Sequence, residues 1–211
     1  MEIEYKGANC VVIKDKKILI VVDPTINVSV KEARNPDAVI LATQENFAPS
    51  EMDAENFVID MPGEYEHTDV SVRGIPARSH IGADEKAKNA TMYRVETDGV
   101  RLAVIGHTVA PLSDDDLENI GIVDIVVIPV GGGGFTLDAK DAAAIVRQIS
   151  PKIVIPTHYE DGHTKYEVLQ ESVDLFIKEM DCLHEKTPTL KVKSALNLPE
   201  VMTVYELSRT S

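Results

Sequence analysis

The stretch IPVGGGGFTLDAKDAAAIVRQISPKIVIPTHYED, Ile128 to Asp161, decides the fold class. It reads as a strand closing at Pro129, a four-glycine loop, an amphipathic helix, a second apolar strand and then Thr157-His158-Tyr159. Ala139, Ala142, Ala143, Val146 and Ile149 recur at spacings of three and four, which lines one helical face, while Asp138 and Asp141 suit the positive N-terminal end of the helix. Ser150-Pro151 stops it, because the residue before a proline is pushed out of the helical region. Lys152–Ile155 is then a short β-branched run of the kind a sheet buries on both faces. A strand–helix–strand unit of this sort makes the chain α/β.

The same design recurs upstream, as apolar runs that stop abruptly in Asp, Pro, Gly or His. Ile18–Val22 precedes Asp23-Pro24, Phe57–Ile59 precedes Asp60-Met61-Pro62-Gly63, Leu102–Ile105 precedes Gly106-His107, and Ile125–Ile128 precedes Pro129. Strands that share sheets would gather these exits on one rim, where open α/β folds hold ligands. The alternative is that Asp, Pro and Gly merely punctuate strands. The four glycines Gly131–Gly134 lack the lysine and hydroxyl of a phosphate-binding loop, and they permit either a close backbone approach or a flexible turn.

Around this frame, Glu2–Tyr5, Asn9–Lys14 and Lys17–Val22 are expected to open the molecule as a meander turning at Asp15-Lys16. Ala38–Ala42 is the next strand, followed by the polar loop Thr43–Pro49, and Tyr65 and Val70–Ile75 lie on further strands. Thr91–Glu96 and Arg101–Ile105 bracket Asp98-Gly99, a strong hairpin signal. Ser113 caps Asp114–Ile120. Tyr166–Met180 carries a helical stripe of Leu169, Val173, Phe176, Ile177 and Met180, and Leu190–Lys193 and Thr203–Leu207 close the fold as strands.

A chain of 211 residues fits one domain, 1–211, which buries roughly 70% of its unfolded surface and needs neither disulfide nor metal to fold. Cys10 and Cys182 are expected to be reduced packing residues of a cytoplasmic protein. No basic segment precedes an apolar leader, and no apolar run approaches the ~20 residues that span a bilayer, so no membrane association is expected. The net charge of −14 repels a nucleic-acid backbone and disfavours a nuclease.

His67 and His184 sit among charged neighbours and His163 lies in a loop, whereas His80, His107 and His158 each come at or just after a strand exit. Neutral imidazoles on such loops suit a metal held by three ligands plus water; hydrogen-bonded structural histidines are the other reading. No Gly-x-Ser-x-Gly nucleophile elbow occurs.

Tyr5-Lys6-Gly7, Val22-Asp23-Pro24, Val58 to Glu66 (VIDMPGEYE), Pro129-Val130-Gly131-Gly132 and Pro151 to Tyr159 (PKIVIPTHY) together resemble the metallo-β-lactamase superfamily, in the branch related to ascorbate-6-phosphate lactonases. The resemblance implies a four-layer αβ/βα sandwich with its metal site along one edge. It also implies an H-x-H-x-D-H signature after the strand Ala38–Ala42, and aligning Thr43 puts Gln44, Asn46, Ala48 and Pro49 at the ligand positions. His80 and His158 match two later ligands, and His107 replaces the bridging aspartate. Amides are weak donors and Ala48 and Pro49 are none, so a dinuclear zinc hydrolase site is not expected. The expectation is therefore a pseudoenzyme: a binding or assembly module for a small molecule or protein, without a cofactor. The alternative is a hydrolase of a small phosphorylated or lactone-like substrate, with one zinc on His80, His107 and His158 and with Asp60 or Glu45 orienting water. Association into a homo-oligomer through an exposed sheet edge or the Pro76–Asn89 loop is the remaining expectation.

Overall fold

A computed structural model describes residues 1–16, 18–24, 30–48, 56–67, 70–80 and 89–210. The chain opens with β1 (Glu2–Gly7), β2 (Cys10–Lys14) and β3 (Leu19–Val22), which pair antiparallel in sequence order as the meander pattern requires. β4 (Ala38–Leu41) and β5 (Phe57–Ile59) then add parallel to β3, and β13 (Leu190–Lys191) pairs with β1, giving a six-stranded sheet of order β13-β1-β2-β3-β4-β5. Alternation along these strands explains their apolar character on both faces. Val11, Ile13, Ile20 and Val22 enter the main core, while Cys10, Val12, Val21 and Ile40 face a second, smaller cluster outside.

The larger sheet has eight strands in the order β12-β14-β11-β10-β9-β8-β7-β6. Its antiparallel half is β6 (Gly63–His67), β7 (Val70–Ala77), β8 (Ala90–Thr97) and β9 (Val100–Val104), with the β8–β9 turn at Asp98 (φ 46°) and Gly99 (φ 74°). The positive φ pair is what an Asp-Gly hairpin turn needs. Its parallel half is β9, β10 (Ile125–Pro129), β11 (Ile153–Thr157), β14 (Thr203–Leu207) and β12 (Leu183–Thr187). α1 (Asp114–Ile120), α2 (Ala139–Ile149) and α3 (Val173–Met180) are the crossovers, and right-handed crossovers that step the same way along a sheet cover the same face. α1 and α2 begin where their caps predict: Ser113 and Asp116 form a reciprocal capping box, and Asp138 accepts from the amides of Lys140 and Asp141. The fold is thus the expected αβ/βα sandwich. Among the described residues, the crossover from β3 to β4 carries the 3-10 turn Lys31–Arg34 in place of an α-helix. No described helix is long and apolar enough to cross a membrane.

Two expectations are corrected. The helical stripe from Tyr166 becomes helix only at Val173, and Leu169 is 89% exposed. The backbone before Ser172 is committed elsewhere, since the Glu171 amide donates to the Gly131 carbonyl (2.8 Å) and its carbonyl accepts from Glu160 (3.0 Å). The strand at Leu190–Lys193 shrinks to Leu190–Lys191, and β12 (LHEKT), which lacks an apolar alternation, is an additional edge strand. Cys10 is buried, Cys182 is partly buried, and both are free thiols.

Tyr93 on β8 ties the two sheets together at the rim where the site lies. Its hydroxyl hydrogen is shared between the carbonyls of Ala42 (2.7 Å) and Ile59 (2.8 Å), which end β4 and β5 in the facing sheet. Tyr93→Phe keeps the ring and removes the hydroxyl donor from the Ala42 carbonyl, while the Ile59 carbonyl keeps the Ala42 amide at 2.9 Å, so it should cost about 1–3 kcal/mol. A urea midpoint that falls at unchanged m-value is the expected reading.

Candidate metal centre

The strand exits do converge, and they do so across both sheets. Asp23, just past β3, adopts a left-handed φ of 42° that aspartate tolerates, and its carboxylate is fully buried. It accepts from the Thr43 amide (2.7 Å), the Thr43 hydroxyl (2.7 Å) and the Asn9 side-chain amide (2.6 Å). Asn9 is held in turn by the Thr157 hydroxyl (2.7 Å) at the end of β11. Burial pushes the Asp23 carboxyl up to about 6, against those donors, which pull it down.

Thr43, just past β4, reaches the larger sheet. Its Oγ1 lies 3.3 Å from His107 Nδ1, and His107 follows β9 through Gly106. Gly106 has φ +61°, and a Cβ there would stand 2.5 Å from Thr43 Cβ, so a glycine is what lets the two exits touch. His107 is 2% exposed. Phe47 stacks on its ring at 4.4 Å, and His158 meets it edge-on at 5.2 Å with an interplanar angle of 89°.

His158 follows β11 and also adopts a left-handed φ, 52°. Its amide donates to the Ala8 carbonyl (2.7 Å), its Nδ1 lies 3.1 Å from Gln170 Oε1, and the Tyr166 ring tilts against it at 4.9 Å. His80 joins the group through its amide, which donates to the His107 carbonyl (3.3 Å). Its Nε2 is buried and has no hydrogen-bond partner among the described residues.

The other predicted residues are placed differently. Glu45 is exposed at the start of a 3-10 turn, and Asp60 is half-buried past β5; among the described residues neither carboxylate bonds to an imidazole. Gln44 is buried, its amide nitrogen donates to the Ser79 hydroxyl, and its Oε1 has no partner among the described residues. Asn46 is exposed and Ala48 half-buried, while Pro49 and most of the Pro76–Asn89 loop lie outside the described residues. Away from the cleft, His184 pairs with Glu206 (3.1 Å) and His67 stacks on Phe57. Sequence reasoning did not single out Gln170, Asn9, Phe47 or Tyr166, which gain their roles only when distant segments meet.

By chemical type, three neutral imidazoles are a donor set for one cation rather than two. Rings of two imidazoles sharing a tetrahedral zinc stand about 5 Å apart, which His107 and His158 match, and the orphaned His80 nitrogen is a third neutral donor. Among the described residues, no three His, Cys, Asp or Glu side chains already stand in metal-holding geometry.

Burial lowers the pKa of all three imidazoles below the ordinary 6.5, His107 most, with His158 and His80 adding to its shift. As pH falls through 6.5 the unfolded chain therefore takes up protons that the folded chain refuses, and stability falls. Asp23 acts oppositely between 3.8 and about 6, where the folded chain holds the extra proton. Three imidazoles outweigh one carboxyl, so the urea midpoint should drop from neutral pH toward pH ~5, and His107→Gln should flatten that slope. A midpoint constant across this range would contradict neutral buried imidazoles.

Residues 2–158 match the family described as the β-lactamase superfamily domain. A metal-dependent hydrolase of Thermococcus onnurineus is 31% identical over 116 residues, 54% of this chain and 45% of that protein, so the matched part spans less than half of that relative. A metal-dependent hydrolase of Lysinibacillus sphaericus is 28% identical over 195 residues, 75% of this chain and 85% of the relative. Among solved structures, a metallo-β-lactamase superfamily protein of Thermotoga maritima, named as a candidate Zn-dependent hydrolase, superposes with a TM-score of 0.75 at 22% identity, covering 98% of each chain. A metallo-β-lactamase fold protein of Bacillus subtilis gives 0.63 at 7% identity over 99% of this chain and 98% of its own. Such low identities establish a shared fold.

Proposed function

The chain belongs to the metallo-β-lactamase superfamily, and from that footing we propose that it is a metal-dependent hydrolase with a single-cation site on His80, His107 and His158, acting on a small lactone-like or phosphorylated substrate. The observation that carries this reading is the edge-on pair of His107 and His158, with His80 tied to His107 through the backbone and its buried Nε2 left without a partner among the described residues. When bound, a divalent cation such as zinc supplies Lewis acidity, which polarises the scissile group and acidifies water. The chain supplies three imidazoles that burial keeps neutral. Phe47 and Tyr166 flank two of the rings as apolar walls that limit water, and Glu45 and Asp60 are the carboxylates proposed to orient a water at the lip. The relatives named as metal-dependent hydrolases support the reaction class.

A second reading, a binding module without a metal, is favoured by Gln44, Asn46 and Ala48 at positions where the family resemblance places ligands. Elemental analysis after dialysis against micromolar zinc separates the two. About one zinc per chain, lost in His158→Ala, is the expected result, followed by turnover of chromogenic lactones or phosphate esters. A chain that retains no zinc, cobalt or manganese is the binding module.

A further inference from the structure

Two of the site imidazoles rest their Nδ1 atoms on neighbours whose hydrogens are already committed, and this fixes where each ring carries its proton. Thr43 has one hydroxyl hydrogen. Asp23 Oδ2, at 2.7 Å, takes it, and the Thr43 amide and Asn9 occupy the rest of that carboxylate. Thr43 Oγ1 is therefore left only lone pairs to offer His107 Nδ1. Asn9 cannot reverse the arrangement by flipping, because the ionised Asp23 carboxylate only accepts and so holds the Asn9 amide nitrogen toward itself, leaving the Asn9 carbonyl oxygen to accept from the Thr157 hydroxyl. At His158 the same accounting runs through Gln170, which is 9% exposed. Gln170 Nε2 donates to the Val168 carbonyl (3.0 Å), and that fixes Oε1 as the atom facing His158 Nδ1. An acceptor on Nδ1 in both cases calls for Nδ1–H.

We infer that Thr43 and Gln170 are positioning residues that lock His107 and His158 in the Nδ1–H tautomer, so that both rings present an Nε2 lone pair to the cleft. The inference deepens the single-cation reading and rests on it for its purpose, although the tautomers themselves are properties of the metal-free chain. Free imidazole favours the opposite, Nε2–H form, so the lock has a readout that simple packing does not mimic. Partners of this kind, on the ring nitrogen away from the metal, change metal affinity by about 10–100-fold.

Long-range proton–nitrogen correlation spectra of the metal-free, 15N-labelled chain, taken above neutrality, test this directly. In the unaltered protein both rings should show Nδ1–H. Gln170→Leu should return His158 to Nε2–H and leave His107 unchanged, and Thr43→Val should do the converse. Gln170→Glu and Thr43→Ser, which keep an acceptor, should restore the lock. Nε2–H on either ring in the unaltered protein overturns the inference, and this outcome needs no variant to fold. Variants that move both rings alike, or neither, also overturn it, because that is what structural loosening or irrelevance would give. Zinc titration of the same samples separates the two claims. Correct tautomers without zinc binding leave the lock standing and sink the metal reading; zinc binding with Nε2–H rings does the reverse.

Discussion

Replacing Gly131 by alanine is expected to dismantle the histidine cleft and to cost about 3–6 kcal/mol of stability. A Cβ at this position would lie 2.1 Å from the His158 carbonyl oxygen and 2.5 Å from Gln170 Oε1. Neither atom has room to retreat. His158 is pinned by its amide bond to Ala8 and by its left-handed φ, and Gln170 is held between His158 and the Val168 carbonyl. Gly131 cannot move away either, because its carbonyl accepts from Glu171 and the adjacent Val130 amide donates to Thr157. Overpacking alone costs about 1–3 kcal/mol. Breaking two or three of these hydrogen bonds adds about 1 kcal/mol each. Urea denaturation should show the loss, and on the proposed single-cation reading zinc uptake should fall about 10–100-fold, the effect of taking away the groups that orient a ligand. Gly134→Ala is the control: its Cβ meets nothing within 4 Å, and the cost should stay near 1 kcal/mol from its φ of +78°. Gly131→Ala within about 1 kcal/mol of the parent would mean that the close approach of the glycine loop to β11 does not hold His158.

That approach shows where local reasoning on the sequence succeeds and stops. α2, the Ser113 cap and the Asp98-Gly99 hairpin were legible because periodicity, caps and turn residues act within a few positions. The gathering of strand exits was legible as a tendency, since each apolar run ended in a polar or turn residue. How the exits distribute between sheets was not. β3, β4 and β5 belong to one sheet and β9, β10 and β11 to the other, and Thr43 against Gly106 is one of the contacts that join them. The four glycines allowed either a close approach or a flexible turn, and Gly131 against His158 decides for the first. The apparent helix from Tyr166 failed for a related reason. Its spacing is helical, yet Gln170 and Glu171 are drawn out to serve His158 and the glycine loop, and tertiary partners override a local period. β12 was missed because an exposed edge strand needs no apolar alternation. Asn9 joins Thr157 to Asp23 across 148 and 14 residues of sequence respectively, a reach that no local pattern reports.

Asp23 is the member of that chain whose loss should cost most after Gly131. Asp23→Ala strands the Thr43 amide and the Asn9 side-chain amide in a site with no exposure, and it frees the Thr43 hydroxyl to turn toward His107. Each unsatisfied buried donor costs about 1–3 kcal/mol, so a loss of about 2–6 kcal/mol is expected from the two. Asp23→Asn is the more telling change, because it keeps the volume and asparagine also tolerates a φ of 42°. Oδ2 takes two donors and Oδ1 one, so the amide oxygen should settle on the Oδ2 side and turn its NH2 toward the Thr43 N–H. Donor then faces donor where a 2.7 Å bond stood, for a cost of about 2–4 kcal/mol. The order of urea midpoints above neutrality should be parent, then Asn, then Ala. An Asn variant as stable as the parent would show that the site accepts a neutral, donor-bearing group, and His107 would then lose the acceptor that holds its proton on Nδ1.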